Sequence, residues 1–345
     1  MQDQPLAGQV ALVSGATRGG GRGCAIALAA AGALVYCTGR SAAGHSGGMD
    51  RPETIDETVD LIRAAGGDAR ALRVDHTIES EVVELARRIG DEAGRLDVLV
   101  NSIWGADDMV GWGKPFWEAD LSNLGQYMDQ TLHSHMLTNR HLVPLMIDAD
   151  RGLIVEMIDG HLAGYRGNIL YDFVKAGLAR LAYGMAMELT RTGVTALSLA
   201  PGFLRSEAVL EHFGVDEANW RDAIVKDEYF AQSESPLLVG RAVVALACDP
   251  DVQRRAGMSH FAADLARDYG FTDEDGGVPD FHGLFDANVR TMAQQDHLDP
   301  LSEYYLWARY CQIHQDPSRR ALAAELLRAL DMEHLGSGLG PAAGP

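Results

Sequence analysis

The stretch Ser14-Gly15-Ala16-Thr17-Arg18-Gly19-Gly20-Gly21-Arg22-Gly23 follows an apolar run, Gln9–Val13, and leads into a helical pattern over Gly21–Ala31. Glycines at a strand-to-helix turn let the backbone bend sharply and approach a pyrophosphate, which rests on the helix N-terminus. A glycine-rich turn without a ligand is the ordinary alternative. The position between a first strand and a first helix favours a dinucleotide site.

Short apolar runs and helical patterns alternate along the chain as far as residue 199. The predicted strands are Gln9–Val13, Leu34–Thr38, Ala69–Val74, Leu96–Asn101, Leu153–Ile158 and Val194–Leu199. The predicted helices are Gly21–Ala31, Glu53–Ala65, Glu79–Ala93, Leu124–Ile147 and Leu170–Thr192. This alternation predicts an α/β fold, a Rossmann-type doubly wound parallel sheet covered on both faces by helices.

Composition limits the classes of partner. The chain has 345 residues, 47% hydrophobic and 23% charged, with a formal net charge of −20, so nucleic acid and anionic membranes are not expected partners. No apolar run approaches the ~18 residues of a membrane span, and the N-terminus lacks a signal-peptide pattern. Four cysteines without a CxxC pair fit a reducing, cytoplasmic setting, with Cys24 and Cys37 expected to be buried.

The end of the second predicted strand indicates which dinucleotide binds. Sites selective for NAD usually place an acidic residue there to hold the ribose 2′-OH. This strand instead ends Tyr36-Cys37-Thr38-Gly39-Arg40-Ser41, and a second arginine, Arg18, lies in the glycine turn. Two guanidinium groups suit a 2′-phosphate by charge and by geometry, so we expect NADP(H).

The stretch Tyr171-Asp172-Phe173-Val174-Lys175 carries the candidate catalytic pair. A Tyr and a Lys four residues apart lie on one face of a helix. The Tyr would move a proton, and the Lys ammonium would favour its phenolate near neutral pH. A helical Tyr at a subunit contact is the plainer alternative.

These motifs resemble, in order, those of the short-chain dehydrogenase/reductase family, over residues ~8–265. The matches are the TGxxxGxG turn at 14–21, Asp75, Asn101-Ser102-Ile103-Trp104-Gly105 for NNAG, YxxxK at 171–175, and Pro201-Gly202-Phe203-Leu204-Arg205-Ser206. The Ile-Trp-Gly segment, Arg51-Pro52-Glu53-Thr54 and Ser206-Glu207 resemble the branch that includes the dehydrogenase/reductase member 1 type.

The resemblance implies a reductase in which Tyr171 donates a proton to a carbonyl oxygen while Lys175 binds the nicotinamide ribose. It implies cofactor contacts from the following residues: Ser14, Gly15, Thr17, Arg18, Gly19, Gly21, Arg40, Asp75, His76, Asn101, Tyr171, Lys175, Pro201, Gly202, Phe203 and Ser206. It also implies a homodimer or homotetramer, formed through the helices at ~124–147 and ~170–192.

The resemblance, together with the changed, turn-rich character of the chain past about residue 270, suggests a domain plan. Residues 1–270 would form the NADP-binding domain, with the helix at Ser206–Phe230 in a substrate lid at about 205–235. Residues 271–345 would form a partly helical C-terminal extension whose last residues are disordered.

Two residues of the family's catalytic set are replaced. Matching strand ends puts Asp159 where the family has Ser, although counting back from Tyr171 gives Ile158; Thr131 stands where the family has Asn. A carboxylate cannot donate a hydrogen bond unless it is protonated, and an ionised Asp159 would oppose the effect of Lys175 on Tyr171. Either Asp159 is held protonated, or the substrate offers a group that a carboxylate binds.

We therefore hypothesise a substrate with a basic nitrogen or a hydroxyl near a reacting ketone, aldehyde, imine or hemiaminal carbon. Alternatively, Asp159 points away from the substrate, and His161 or His133 replaces the Ser. Trp104 is a further candidate for substrate contact, because the loop from Trp104 to Trp117 holds three of the five tryptophans and could form a wall of the pocket, or else a surface cap. Trp220, in the predicted lid helix, could also line the pocket, although it could equally be an ordinary core contact. His133 and His135 would diverge on a helix, so no metal site is expected.

Two other functions remain open for such a sequence. The first is a redox-inactive NADP-binding sensor or scaffold, which the missing Ser and Asn favour and the retained Tyr and Lys oppose. The second is a dehydratase or epimerase that uses Asp159 as a base. Oxidation of NADPH with a panel of carbonyl compounds separates these from a reductase.

Overall fold

The computed structural model describes residues 4–48, 51–106, 109–112, 114–159, 168–281, 283–284, 287, 321, 324–325 and 328. The strands are β1 (Val10–Ser14), β2 (Leu34–Gly39), β3 (Asp68–Arg73), β4 (Val98–Asn101), β5 (Gly152–Met157), β6 (Val194–Ala200), β7 (Phe203–Leu204), β8 (Ser233–Glu234) and β9 (Ser259–Phe261). The α-helices are α1 (Gly19–Ala30), α2 (Ile55–Ala64), α3 (Glu79–Ala93), α4 (Leu124–Met128), α5 (Ser134–Asp148), α6 (Ile169–Glu188), α7 (Glu207–Phe213), α8 (Pro236–Cys248) and α9 (Ala262–Tyr269).

Seven strands form one parallel sheet in the order β3-β2-β1-β4-β5-β6-β9. The predicted Rossmann-type architecture is thereby confirmed. The strand order reverses between β1 and β4, and in open α/β sheets ligands bind at such a reversal, outside the carboxyl ends of the strands. The glycine turn after β1 and the loop after β4 both start at this edge.

Helices bury each face of the sheet. On one face α1, α8 and α9 pack over strand residues through a cluster that contains Leu28, Val243 and Leu265. On the other face α3 and α5 contribute Ile89 and Leu142 to a second cluster. Both faces must be covered because the side chains of a central parallel strand are apolar on the two faces of the sheet and need apolar partners on each.

The two cysteines that were predicted to be buried lie in this core. Cys24 is in α1 and Cys37 in β2, each with 0% of its surface exposed. Burial raises the pKa of both thiols to about 12, so they stay protonated and behave as small apolar side chains.

Two of the predicted helices differ from those in the structure. The predicted helix at 124–147 contains a π-helical segment, Asp129–His133, between α4 and α5. The predicted lid helix at 206–230 is broken: Gly214, at φ 69°, ends α7, and two 3-10 helices follow at Trp220–Val225 and Glu228–Gln232. A left-handed glycine ends a helix because it cannot continue the right-handed turn.

Most of the predicted C-terminal extension, including its final residues, lies outside the described part of the chain. Within that part, no helix combines the length and apolarity that crossing a bilayer requires.

Candidate active site

The glycine turn is shaped by close backbone packing. Gly15 has φ +80°, and a Cβ there would come within 3.0 Å of the carbonyl of Ser102 in the loop after β4. A Cβ on Gly21 would in turn meet the carbonyl of Gly15. Only glycine fits these positions, and the bare backbone leaves room for a ligand to approach the N-terminus of α1.

Two adjoining cavities run along this edge of the sheet. They share Gly15, Thr17, Arg18 and Trp104. The smaller, about 50 Å³, is lined among others by Arg40, Ser41, Asp75 and His76. The larger, about 450 Å³, is lined among others by Gly19, Asp159, Tyr171, Lys175, Pro201, Gly202, Phe203 and Ser206. An elongated cleft from Arg40 to Tyr171 fits a dinucleotide whose reactive end lies beside the tyrosine.

Arg40 lies at one end of the cleft, and its guanidinium lies against Gly105. A Cβ on Gly105 would meet the guanidinium of Arg40 and the side chain of Gln130 at less than 3.0 Å, so glycine is needed for Arg40 to lie there. Within the described residues, Arg40 has no salt bridge or side-chain hydrogen bond.

Asp75 and His76 lie behind this end of the cleft. Asp75 Oδ1 accepts hydrogen bonds from the backbone N–H and the hydroxyl of Thr77, at 3.0 and 2.7 Å. His76 is buried between Thr38 and Thr138. Burial, and secondarily the positive charge of His135, lower the pKa of His76 to about 3, so its ring is neutral.

A carboxylate of α7 reaches the glycine turn. Glu207, the first residue of α7, accepts a hydrogen bond of 2.7 Å from the backbone N–H of Gly19. Its other oxygen lies 3.4 Å from a guanidinium nitrogen of Arg22. Because a helix N-terminus attracts anions, this contact fastens α7 to the start of α1.

The Tyr171 side chain is hydrogen-bonded to Asp159, the residue that matching of strand ends predicts at the family's Ser position. Its hydroxyl donates to Asp159 Oδ2 at 2.5 Å, across the mouth of β5. The backbone of Tyr171 is fixed by Asn168, whose Oδ1 caps the N-terminus of α6 at the amides of Leu170 and Tyr171. Asn168 Nδ2 also donates to the carbonyl of Gly111, which ties the aromatic loop to this helix.

Aromatic rings surround the Tyr–Lys pair. The ammonium of Lys175 lies 4.3 Å from the ring centroid of Trp104 and 5.5 Å from that of Tyr171. Trp104 and Trp112 each lie 5.2 Å from the Tyr171 ring. Trp117 does not contribute, since it is 72% exposed and packs on Phe116. The expected aromatic wall is therefore formed by two of the three tryptophans.

Thr131 occupies the place of the family's Asn, inside the π-helical segment. It is fully buried, and its hydroxyl donates to the carbonyl of Tyr127 at 2.7 Å. The carbonyl of Thr131 accepts from the hydroxyl of Ser134 at 2.9 Å. The hydroxyl and the backbone carbonyl of Thr131 are therefore both hydrogen-bonded within their own helix. The π-helical turn that contains them is of a kind common at functional sites.

The remaining candidates are scattered. Asn101 is fully buried below the cleft, hydrogen-bonded to the hydroxyl of Ser14. Trp220 is buried in a small apolar cluster with Leu210 and Phe230, with the guanidinium groups of Arg205 and Arg221 each 4.2 Å from its ring centroid. It does not line either cavity of the cleft.

Within the described residues, the structure does not place at the cleft either of the two histidines, His133 and His161, that were considered as replacements for the Ser. His133 is half exposed beside Asp129, 3.4 Å from its carboxylate, and lines neither cavity. His161 lies outside the described residues.

Sequence reasoning missed a buried glutamate–histidine pair. Glu156 in β5 and His135 in α5 are both fully buried, 2.5 Å apart. The available signal was a glutamate within an otherwise apolar predicted strand, because a carboxyl buried on a parallel sheet needs a partner. The N-cap role of Asn168, a residue type typical of helix starts, was also missed.

Comparisons with known proteins agree with this geometry. The family model for short chain dehydrogenase matches residues 9–213. Dehydrogenase/reductase SDR family member 1 from Homo sapiens is 35% identical over 79% of this chain and 85% of its own length. The Mus musculus protein of that name is 36% identical over 81% and 88%.

The fold is shared with solved structures. A hydroxysteroid dehydrogenase from Escherichia coli superposes with a TM-score of 0.59 over 76% of this chain and 98% of its own, at 24% identity. That likeness concerns the fold alone. The matched sequence model and the identity to the member 1 proteins establish more, and this chain belongs to the short-chain dehydrogenase/reductase family of oxidoreductases.

Proposed function

We propose that this protein is an NADP(H)-dependent reductase of a carbonyl, imine or hemiaminal carbon, in a small molecule that carries a basic nitrogen. Tyr171 acts as general acid/base, Lys175 supports it, and Asp159 binds the cationic part of the substrate. The observation that carries the proposal is the 2.5 Å hydrogen bond from the Tyr171 hydroxyl to Asp159.

The cleft suits a dinucleotide with a 2′-phosphate. Arg40 and Arg18 both line its narrow end, where an acid would be expected for NAD. The guanidinium of Arg40 has no salt bridge within the described residues, although the chain carries a net charge of −20. When bound, the cofactor would supply or accept the hydride, while Gly15, Thr17, Lys175 and the 201–206 segment would hold it.

The cofactor preference is tested with Arg40→Ala. We expect the Kd for NADPH to rise about 10-fold or more, since a charge-assisted hydrogen bond contributes ~1.5–3 kcal/mol, while the Kd for NADH changes little. Fluorescence titration of both cofactors measures this. Arg241→Ala, in α8, is the control and should alter neither. An equal loss for both cofactors would contradict a 2′-phosphate site at Arg40, and mass spectrometry of nucleotide released from the purified protein checks the preference independently.

The proton-transfer step depends on opposing charges around Tyr171. The Lys175 ammonium favours the phenolate, whereas an ionised Asp159 favours the neutral phenol, whose O–H it accepts. A cationic group of the substrate would pair with Asp159 and weaken its hold on that proton. Tyr171 would then be free to donate to the oxygen or nitrogen of the reacting carbon.

The role of Asp159 is tested with two substrates that differ only in an amine replaced by a methylene group. Asp159→Asn should lower kcat/KM for the amine about 30-fold or more, because removing one partner of a buried charge pair costs at least ~2 kcal/mol. The neutral substrate should change far less. Asp159→Ala should follow the same pattern. An equal loss for both substrates would mean that Asp159 serves Tyr171 or the loop and does not bind the amine.

We also propose assembly as a homodimer or homotetramer. Apolar side chains stand exposed on the two helices that the family resemblance assigns to the interface, with Met136 in α5 and Phe173 and Met187 in α6. Exposed apolar groups on neighbouring helices support a contact with a second copy.

A further inference from the structure

A buried polar network lies directly under the active site. Glu156 Oε1 accepts from the side-chain amides of Asn101 and Asn139, at 2.9 and 2.6 Å. Its Oε2 lies 2.5 Å from Nδ1 of His135, and both side chains of this pair are fully buried. The four residues come from β4, α5 and β5, so the network joins the sheet to the helix below the cleft.

The hydrogen bonds fix where the protons lie. His135 Nε2 is 3.0 Å from the carbonyl of Ile103, which can only accept, so Nε2 carries a hydrogen. Nδ1 and Glu156 Oε2 then share a second proton.

The network ends at the residue before Trp104. Because a peptide unit is planar, holding the carbonyl of Ile103 also holds the backbone N–H and Cα of Trp104, which lie in the same plane. The Trp104 ring lies 4.3 Å from the Lys175 ammonium and 5.2 Å from the Tyr171 ring. An ammonium over an indole face is held by attraction to the ring.

We propose that Glu156 and His135 are positioning residues, which act through the Ile103 carbonyl and Trp104 to hold the Lys175 ammonium where it favours the Tyr171 phenolate. The inference rests on the proposed roles of Tyr171 and Lys175. Neither Glu156 nor His135 touches the cleft, so each acts through other residues. The plain alternative is a buried pair that only stabilises the fold.

Two variants isolate the hydrogen bond to Ile103. In Glu156→Gln, the side-chain oxygen still accepts from both asparagines, and its amide can donate to Nδ1, which leaves a neutral His135 with Nε2–H for Ile103. In Glu156→Gln/His135→Phe, a somewhat larger, apolar aromatic ring replaces the imidazole, and that donor is lost. The two proteins differ at the contact that the proposal requires.

The readout is the titration of the Tyr171 phenol by ultraviolet difference absorbance, which needs neither cofactor nor substrate. The chain has 10 tyrosines in total, counting Tyr171. Subtracting the titration of the matching Tyr171→Phe variant therefore isolates the signal of this one phenol. We expect Glu156→Gln to titrate like the parent. In the double variant, the Tyr171 phenol should titrate at a pH higher by about half a unit or more, because the Lys175 ammonium is less well placed to stabilise the phenolate. Lys175→Met, which removes that ammonium, sets the upper limit of the shift.

Trp104 provides a test that does not depend on the buried core tolerating a double substitution. Trp104→Leu should move the titration upward as the double variant does, and Trp104→Phe, which keeps an aromatic face, should move it less. A folded double variant that titrates like Glu156→Gln overturns the proposal, and so does an unmoved titration in Trp104→Leu. Neither result bears on whether Tyr171 is the acid of the reaction, which activity measurements decide separately.

Discussion

Replacing Tyr171 with Phe is expected to lower kcat for reduction by about 10²- to 10⁴-fold, the usual contribution of a positioned general acid. The substitution removes only the hydroxyl that donates to Asp159 at 2.5 Å. The ring would keep its contacts with Trp104 and Trp112, so the fold of the site is maintained. Steady-state oxidation of NADPH with an amine-bearing carbonyl substrate measures the loss.

Tyr183→Phe is the matched control for this prediction. Tyr183 lies on the same helix, α6, half exposed with the guanidinium of Arg180 4.4 Å from its ring centroid. Loss of that hydroxyl should leave turnover unchanged. NADPH affinity should stay close to the parent value in both variants.

Other outcomes select other functions. Full activity in Tyr171→Phe would remove Tyr171 from the chemistry. NADPH binding by the parent protein without turnover on any carbonyl would favour the sensor or scaffold. Conversion of a substrate without net oxidation of the cofactor would favour the dehydratase or epimerase.

Gly23→Ala is expected to lower the free energy of unfolding by about 3 kcal/mol, or the melting temperature by roughly 5–10 °C. A Cβ on Gly23 in α1 would lie within 3.0 Å of the carbonyl of Pro236, the first residue of α8. Gly240 faces the backbone of Gly23 from the other helix, just as closely. Backbone meets backbone here, so neither side can yield without moving a helix.

Gly90→Ala in α3 is the control, measured by the same thermal unfolding followed by circular dichroism. Its Cβ would meet a flexible Leu145 methyl at 3.5 Å, an ordinary contact. It should be neutral or slightly stabilising, by up to ~1 kcal/mol, since alanine is the better helix former. Equal responses at the two glycines would show that the contact between α1 and α8 does not limit stability.

Much of the fold could be read from local patterns. The helix predicted at Glu79–Ala93 has those bounds in the structure, and the predicted strand at Leu34–Thr38 extends one residue further, to Gly39. Apolar periodicity and glycine turns are properties of neighbouring residues, so they can be recognised in the sequence before the tertiary structure is known. The end of α7 at Gly214 was not predicted, because the helical sequence pattern continues past that glycine.

The sequence by itself determined the family, the sheet and the pair Tyr171–Lys175, because each depends on residues at short, fixed spacings. It placed Asp159 at the end of β5 but left open whether its carboxylate meets Tyr171. Only the tertiary structure decided that contact and joined Glu156, His135 and the Ile103 carbonyl under the cleft. Such contacts join side chains from different strands and helices, whose separation in the chain carries no periodic signal, so they are decided when the sheet and its helices pack together.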